Sequence, residues 1–513
     1  MTSANVPARD AGPAVLLAAV LGSSMVFLDG TTVNVALPAL QASLGASVVD
    51  VQWVINGYTL FLAALLMLGG SLGDHLGRKR MFMGGMIVFT LASIWCGLAG
   101  DVQQLIAARA LQGVGGALLT PGSLALINAN FSEGARGSAI GRWSAYSAIA
   151  VAGGPILGGW LIDTFSWRWI FFINLPIALA ALLLTARRVP ESRDPDADAQ
   201  LDYLGAALVT LGLGGAVYAL LEAPARSWGD PLIIAAGLGG TALLLAFVVA
   251  EARSSSPMVP LGLFRSRVFS GINLVTLLLY ANLAGLSFFL PMYLIQVRGF
   301  SAAAAGAAGL PLVILLFLAS SWSGRLYDRV GPRAPIAGGA LLTALAFVLF
   351  VVLGGAPNFL ISVTLPMTVM GAGMALLVAP LTTTVMAAVP ETLAGTASGI
   401  NNAVSRVAGL LAIGLLGVVM LSAFGKQLTL HLAHTDLPVS AQATLLASRN
   451  DLAGMALPES LTQVQGGVAR AAIDESFTYG FRLALLGMGG VAVLGALVAL
   501  ATLPTRTHSA TAP

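Results

Sequence analysis

A bilayer's hydrocarbon core is about 30 Å thick, so a helix that crosses it needs about 20 mostly apolar residues. This sequence supplies such a stretch fourteen times. The runs fall near 11–36, 51–73, 81–100, 105–127, 138–162, 169–186, 203–221 and 232–250, and then near 269–294, 305–324, 334–353, 359–386, 396–420 and 483–503. The segment from Ala334 to Pro390 carries no charge and is long enough for two helices; the turn-forming cluster Gly354-Gly355-Ala356-Pro357-Asn358 divides it. Only 9% of the chain is charged and 57% is hydrophobic, whereas soluble proteins carry about 25% charged residues. A chain so poor in charge cannot cover a water-facing surface. The expected fold is therefore an all-α membrane protein with fourteen transmembrane helices and little soluble mass. The net charge of +3 is too small to indicate nucleic-acid binding. Cys96 is the single cysteine, which leaves no intramolecular disulfide or thiolate metal cluster and reads as a small buried side chain. The first run is expected to be a retained helix rather than a signal peptide.

An even number of spans puts both termini on one side, and positive charge concentrates on the cytoplasmic side. With the N-terminus inside, Arg78-Lys79-Arg80, Arg136, Arg142, Arg187, Arg188, Arg193, Arg253, Arg265, Arg267, Arg325, Arg329 and Arg333 all fall in cytoplasmic loops. The opposite short loops hold Arg168, Arg226 and Arg298. Both termini are thus expected in the cytoplasm.

The chain repeats itself once. Gly70-Ser-Leu-Gly-Asp74-His-Leu-Gly77-Arg78-Lys79 follows the second span, and Gly324-Arg-Leu-Tyr-Asp328-Arg-Val-Gly331-Pro-Arg333 follows the tenth. A same-sense repeat marks a protein of two parallel halves. In a six-plus-six arrangement the second copy belongs after the eighth span, so two spans, most simply those at 203–250, are inserted between the halves. The expected division is a six-helix bundle over 1–186 and a segment 187–268 holding a polar cytoplasmic link (187–201) and the inserted pair. A second six-helix bundle follows over 269–503, with a long outer loop at 421–479 and a tail at 504–513.

Several spans carry polar groups that a lipid face would not tolerate. Asp29 lies within Leu28-Asp29-Gly-Thr-Thr-Val-Asn34-Val-Ala-Leu-Pro38, late in the first run. A charged carboxylate at a bilayer centre costs roughly 2.5–3.5 kcal/mol even on lenient scales, so Asp29 is expected to face a wet, protein-lined cavity. Arg109 and Gln112 share one face of the fourth span, with glycines that permit close packing; Arg109 either snorkels outward or lies near a carboxylate. Gly153-Gly154-Pro155-Ile-Leu-Gly158-Gly159 has no side chain capable of chemistry, so its role is conformational. At 70–80, Asp74 either caps a helix or pairs with Arg78 or Lys79. Trp167-Arg168-Trp169 reads as an interfacial anchor. His431, His434 and Asp436 either bind a metal or, in the simpler reading, are solvated loop residues. Arg406 is a charge in the thirteenth span without an acidic neighbour in sequence, or else it lies near the cytoplasmic end.

Together and in order, these stretches resemble the major facilitator superfamily, and more narrowly its fourteen-helix drug:proton antiporters. Gly70–Lys79 is similar to the superfamily's loop signature, Arg109–Gly116 to its helix-four motif, Gly154-Pro155 with Gly158-Gly159 to the antiporter motif, and 28–38 to the helix-one motif of the fourteen-helix group. Gln52-Trp53-Val54 to Tyr58, Trp167 to Pro176, and Pro291 to Gln296 add to the likeness. The resemblance implies the major facilitator fold, no enzymatic activity and no cofactor beyond the proton gradient. It implies export of small lipophilic, cationic drugs or toxic compounds by alternating access from a bacterial cytoplasmic membrane, with a monomer as the working unit. A dedicated exporter of one natural product is the alternative. Asp29 and Arg109 are the expected proton-coupling residues. Asn34, Trp53, Asn56, Tyr58, Gln112, Tyr280 and Asn282 are the expected cavity residues. Gly70, Asp74, Gly77, Arg78, Gly154, Pro155 and Asp328 are the expected conformational switch. No metal ligand is assigned.

Overall fold

A computed structural model describes residues 12–193, 201–254, 257–390 and 393–505. The tail past 505, with His508, and positions 194–200 of the polar link lie outside the described residues. Among the described residues fourteen helices are long and apolar enough to cross a membrane, and there is no strand. The helices are α1 (Gly12–Leu44), α2 (Val48–Leu76), α3 (Arg78–Leu98), α4 (Val102–Asn130), α5 (Gly134–Thr164), α6 (Trp169–Arg188), α7 (Tyr203–Arg226), α8 (Pro231–Arg253), α9 (Arg267–Val297), α10 (Ala302–Val330), α11 (Arg333–Leu353), α12 (Leu360–Ala387), α13 (Ala394–Ala433) and α14 (Gln463–Thr502).

The apolar runs locate the helices but understate several of them. Helix α1 continues past Pro38 to Leu44, which places Asp29 near mid-helix rather than near its end. The expected outer loop at 421–479 is mostly helix. Helix α13 runs on to Ala433 and α14 begins at Gln463, where Thr462 forms a capping box with Gln465. Only 434–462 links them, with a short helix Val439–Ala447 and a 3-10 turn Arg449–Gly454. These arms are polar enough to fall below an apolar-run criterion, yet they bury Leu428, Leu432, Ala469 and Ile473 against one another.

Helices α1–α6 pack among themselves, as do α9–α14, and α7 packs on α8, α2 and α13. The two groups meet chiefly through α2 with α13, α5 with α10, and α1 with α9. Helix α5 touches α10 mainly through the first turns of α10, Ala302–Ala307, and barely along the remainder. The groups are therefore joined at the face away from the chain termini and splay apart toward the terminal face.

The two repeat copies share a backbone device. Gly77 ends α2 at φ 116° and Gly331 ends α10 at φ 77°, a left-handed region that suits only glycine at low cost. Each amide closes the last turn, Gly77 onto Gly73 at 3.1 Å and Gly331 onto Tyr327 at 2.8 Å.

Candidate functional site

Asp29, Arg109 and Gln112 form one cluster, 1%, 0% and 0% exposed. One Asp29 carboxylate oxygen accepts from Arg109 Nη1, and the other accepts from Gln112 Nε2 at 2.8 Å. Arg109 Nη1 also donates to Gln112 Oε1 at 2.8 Å, and Arg109 Nε donates to the Val54 carbonyl at 3.1 Å. The guanidinium lies 4.2 Å above the Tyr58 ring centroid, a cation–π contact that gains strength away from water. The i,i+3 spacing of Arg109 and Gln112 aims both at α1. Gly113 lets α2 approach, since a Cβ there would strike the Tyr58 carbonyl, and Gly116 leaves close room for Leu62 and the Tyr58 ring. Arg109 therefore does not snorkel. Nor does Asp29 face open water, because two side chains satisfy both its oxygens inside the α1–α6 group. A buried pair of this kind is costly to break by removing one partner, about 3–5 kcal/mol.

The other expected cavity residues divide. Tyr58 is buried beneath Arg109, and its hydroxyl has no hydrogen-bond partner. Asn56 is fully buried with neither amide atom partnered, and Asn282 is buried with its amide nitrogen unpartnered. Asn34 donates to the Gly30 carbonyl of its own helix at 3.4 Å, and Tyr280 is half-buried. Trp53 turns to the inserted helices instead: its indole nitrogen donates to Glu222 of α7 at 3.0 Å, and its ring lies 6.1 Å from Tyr218.

Gly154 and Pro155 sit between the cluster and the second group. Thr32, three residues beyond Asp29, donates to the Gly154 carbonyl at 3.3 Å. A Cβ on Gly154 or Gly158 would strike Thr31 or Thr32, and one on Gly159 or Gly306 would strike the facing backbone of α10 or α5. Helix α5 is thus closely packed on α1 along one side and on α10 along the other. In the switch loop, Asp74 pairs with Arg78 at 2.8 Å. The cap on α3 is Glu191, which accepts from the Lys79 and Arg80 amides at 2.9 and 3.2 Å. Gly70 packs on Pro121. Asp328 is exposed, and proline stands where Arg78 has its counterpart, so the repeat shares the turn but not the ion pair.

Three contacts between the groups were not foreseen from sequence. Asp163 accepts from the Ala302 and Ala303 amides at 3.1 and 2.8 Å, capping α10 from α5. Gln296 donates to Gln41 at 2.9 Å, and Gln52 donates to the Ile413 carbonyl at 3.0 Å. All three contacts join the two groups at the face away from the termini. Asp163 offered a local signal, a carboxylate in a helix end, while Gln52 and Gln296 stood at the ends of family-like stretches with no contact assigned to them. Trp167 is 4% exposed, and Arg168 donates to the Gly97 and Ala99 carbonyls at 3.0 and 2.7 Å. Arg168 thus caps the end of α3, and Trp169 beside it is 50% exposed. His431 meets Gln427, Ser476 and Glu475, while His434 bonds its own helix. Among the described residues no group of three His, Cys, Asp or Glu side chains is placed to hold a metal.

A family model described as Major Facilitator Superfamily matches residues 19–413. The tetracenomycin C resistance and export protein of Streptomyces glaucescens is 34% identical over 95% of this chain and 91% of that protein. The multidrug resistance protein Stp of Mycobacterium tuberculosis is 35% identical over 92% of this chain and 88% of its own length. Among solved structures, a bacterial homologue of the human lysosomal transporter Spinster, in an inward-facing and unoccupied conformation, aligns with TM-score 0.67 at 18% identity over 97% of this chain and 99% of that one.

Proposed function

The chain belongs to the Major Facilitator Superfamily, a family of membrane transporters rather than enzymes, and from that premise we propose that it exports lipophilic antibiotic-like compounds in exchange for protons taken up at Asp29. The observation that carries this is the buried Asp29–Arg109–Gln112 cluster, the central acid of α1, a helix that packs on α5 and through it reaches the α5–α10 joint between the groups. Protonating Asp29 removes the charge that holds Arg109, and inside a low-dielectric bundle that loss is large. Thr32, Gly154 and Gly158 pass a shift of α1 to α5, whose last turn caps α10. Proton occupancy at the acid and opening of the joint thereby become linked, and linkage of two equilibria is reciprocal. Export by the tetracenomycin C relative, of similar length, supports the direction of transport.

The same reading sets the terminal face, with its basic loops, in the cytoplasm of a bacterial cell. It keeps the division at 1–186, 187–268 and 269–503, with a monomer as the working unit. A preference for cations requires a free Asp29 carboxylate, which exists only after Arg109 lets go. The likeness to a tetracenomycin C exporter supports a second reading, dedicated export of one product; efflux assays over unrelated dyes and drugs separate the two. In everted vesicles, Asp29→Asn should abolish substrate-driven proton release. If that variant still dissipates a proton gradient when substrate is added, coupling through Asp29 is wrong.

A further inference from the structure

The interior carboxylate of the α1–α6 group is already neutralised, and one interior cation is not. Arg406 lies about three turns inside α13 and is half-buried. Among the described residues it forms no ion pair. Its place in the cleft follows from the helix register. Ile413, seven residues on, shares its face and meets Gln52 of α2. Asn401, five residues before, donates to Thr276 and Asn273 of α9 at 2.7 and 3.1 Å. Arg406 therefore sits about 10 Å below the α2–α13 contact, where the two groups begin to splay. Asn56, one turn below Gln52 on α2, is 0% exposed, and among the described residues both its amide atoms and the Tyr58 hydroxyl lack a hydrogen-bond partner.

We propose that Arg406 is the recognition site for an oxyanion, a carboxylate or phosphate, borne by an otherwise apolar molecule in the central cleft. The proposal rests on the export reading above for its location and deepens that reading by naming the charge of the cargo. An unpaired cation in a membrane interior is expensive, and a planar guanidinium is suited to bidentate pairing with a carboxylate or phosphate. With Asp29 and Arg109 cancelling each other, the cleft carries net positive charge and disfavours cations until an anion arrives.

The test uses the full chain in lipid nanodiscs, with pyrenebutyrate and its methyl ester as probes and binding read by fluorescence anisotropy. Wild type should bind the acid roughly tenfold or more tightly than the ester, the scale of a charged hydrogen bond. Arg406→Gln should erase that preference while binding the ester as before, and Arg406→Lys should keep part of it. An unchanged acid-to-ester ratio in a monodisperse Arg406→Gln, or a wild type that does not prefer the acid, overturns the proposal. Competition by lysophosphatidate against competition by dodecanoate distinguishes a lipid headgroup from an acidic cargo as the source of the anion. Efflux of the acid driven by an imposed pH gradient is scored separately. Its absence in wild type would sink the export reading while leaving the binding ratio to judge Arg406.

Discussion

Asp163 accepts a hydrogen bond from the Ala303 amide at 2.8 Å, so the last turn of α5 caps the first turn of α10. A carboxylate at a helix N-terminus pairs with exposed amides and with the positive end of the helix dipole. It closes the face away from the termini without needing a charged partner, and it can be broken without stranding a buried charge.

Weakening that cap should favour opening at that face. Asp163→Asn removes the charge but not the shape, at a cost of about 1 kcal/mol, roughly a fivefold shift in population. A cysteine placed at Ala42, which lines the cavity of about 330 Å³ beside this joint, reports the shift through its rate of maleimide labelling. Faster labelling in the Asp163→Asn background is expected; an unchanged rate would show that the cap does not hold the joint.

The buried pair should behave asymmetrically. Arg109→Gln leaves Asp29 charged and uncompensated and should destabilise the protein by about 3–5 kcal/mol. Combining it with Asp29→Asn should recover a large part of that loss. Thermal melts in detergent of the two single variants and the double variant close the cycle. If the double variant is as unstable as Arg109→Gln, the cost is lost packing rather than stranded charge.

Gly77 is required by its backbone. At φ 116°, with the Glu191 carboxylate where a Cβ would stand, Gly77→Ala should cost about 1–3 kcal/mol. Gly84, helical with nothing near its absent Cβ, is the control, and alanine there should be neutral or stabilising by up to about 1 kcal/mol. Equal melts for the two variants would contradict the turn geometry.

Asp451, in the turn between α13 and α14, has its pKa raised above 3.8 by burial and then by the nearby Asp50 charge. A raised folded-state value means the native form holds its proton more tightly than the unfolded chain. Stability from this group is present below pH 3.8 and is lost as pH rises through the folded value. Asp451→Asn should therefore melt higher than wild type at neutral pH, with the gap closing toward acid pH. A gap that persists unchanged at low pH would point to a cause other than this carboxyl.

Much of the architecture was legible in the sequence because lipid imposes a coarse rule. Every spanning segment must be helical and about 20 apolar residues long, so the fourteen spans, the repeat at Gly77 and Gly331, and Asp29 as a costly charge all appear in composition and spacing alone. The i,i+3 pair Arg109 and Gln112 was legible for the same reason. The extents of α13 and α14 were not, since their polar arms carry no apolar run and are held by packing.

Tertiary structure alone decided what each polar group meets. Nothing in the local sequence tells Asp29 to meet Arg109 eighty positions away, turns Trp53 toward Glu222, or makes Glu191 rather than Asp74 the cap of α3. Sequence determined which residues had to escape lipid, because the cost of a charge in hydrocarbon is a property of the residue. Three-dimensional packing determined where they went, because a hydrogen bond or an ion pair depends on two groups meeting within about 3 Å. That distance joins residues far apart in the chain, and it left Asp29 paired and Arg406, among the described residues, without an ion pair.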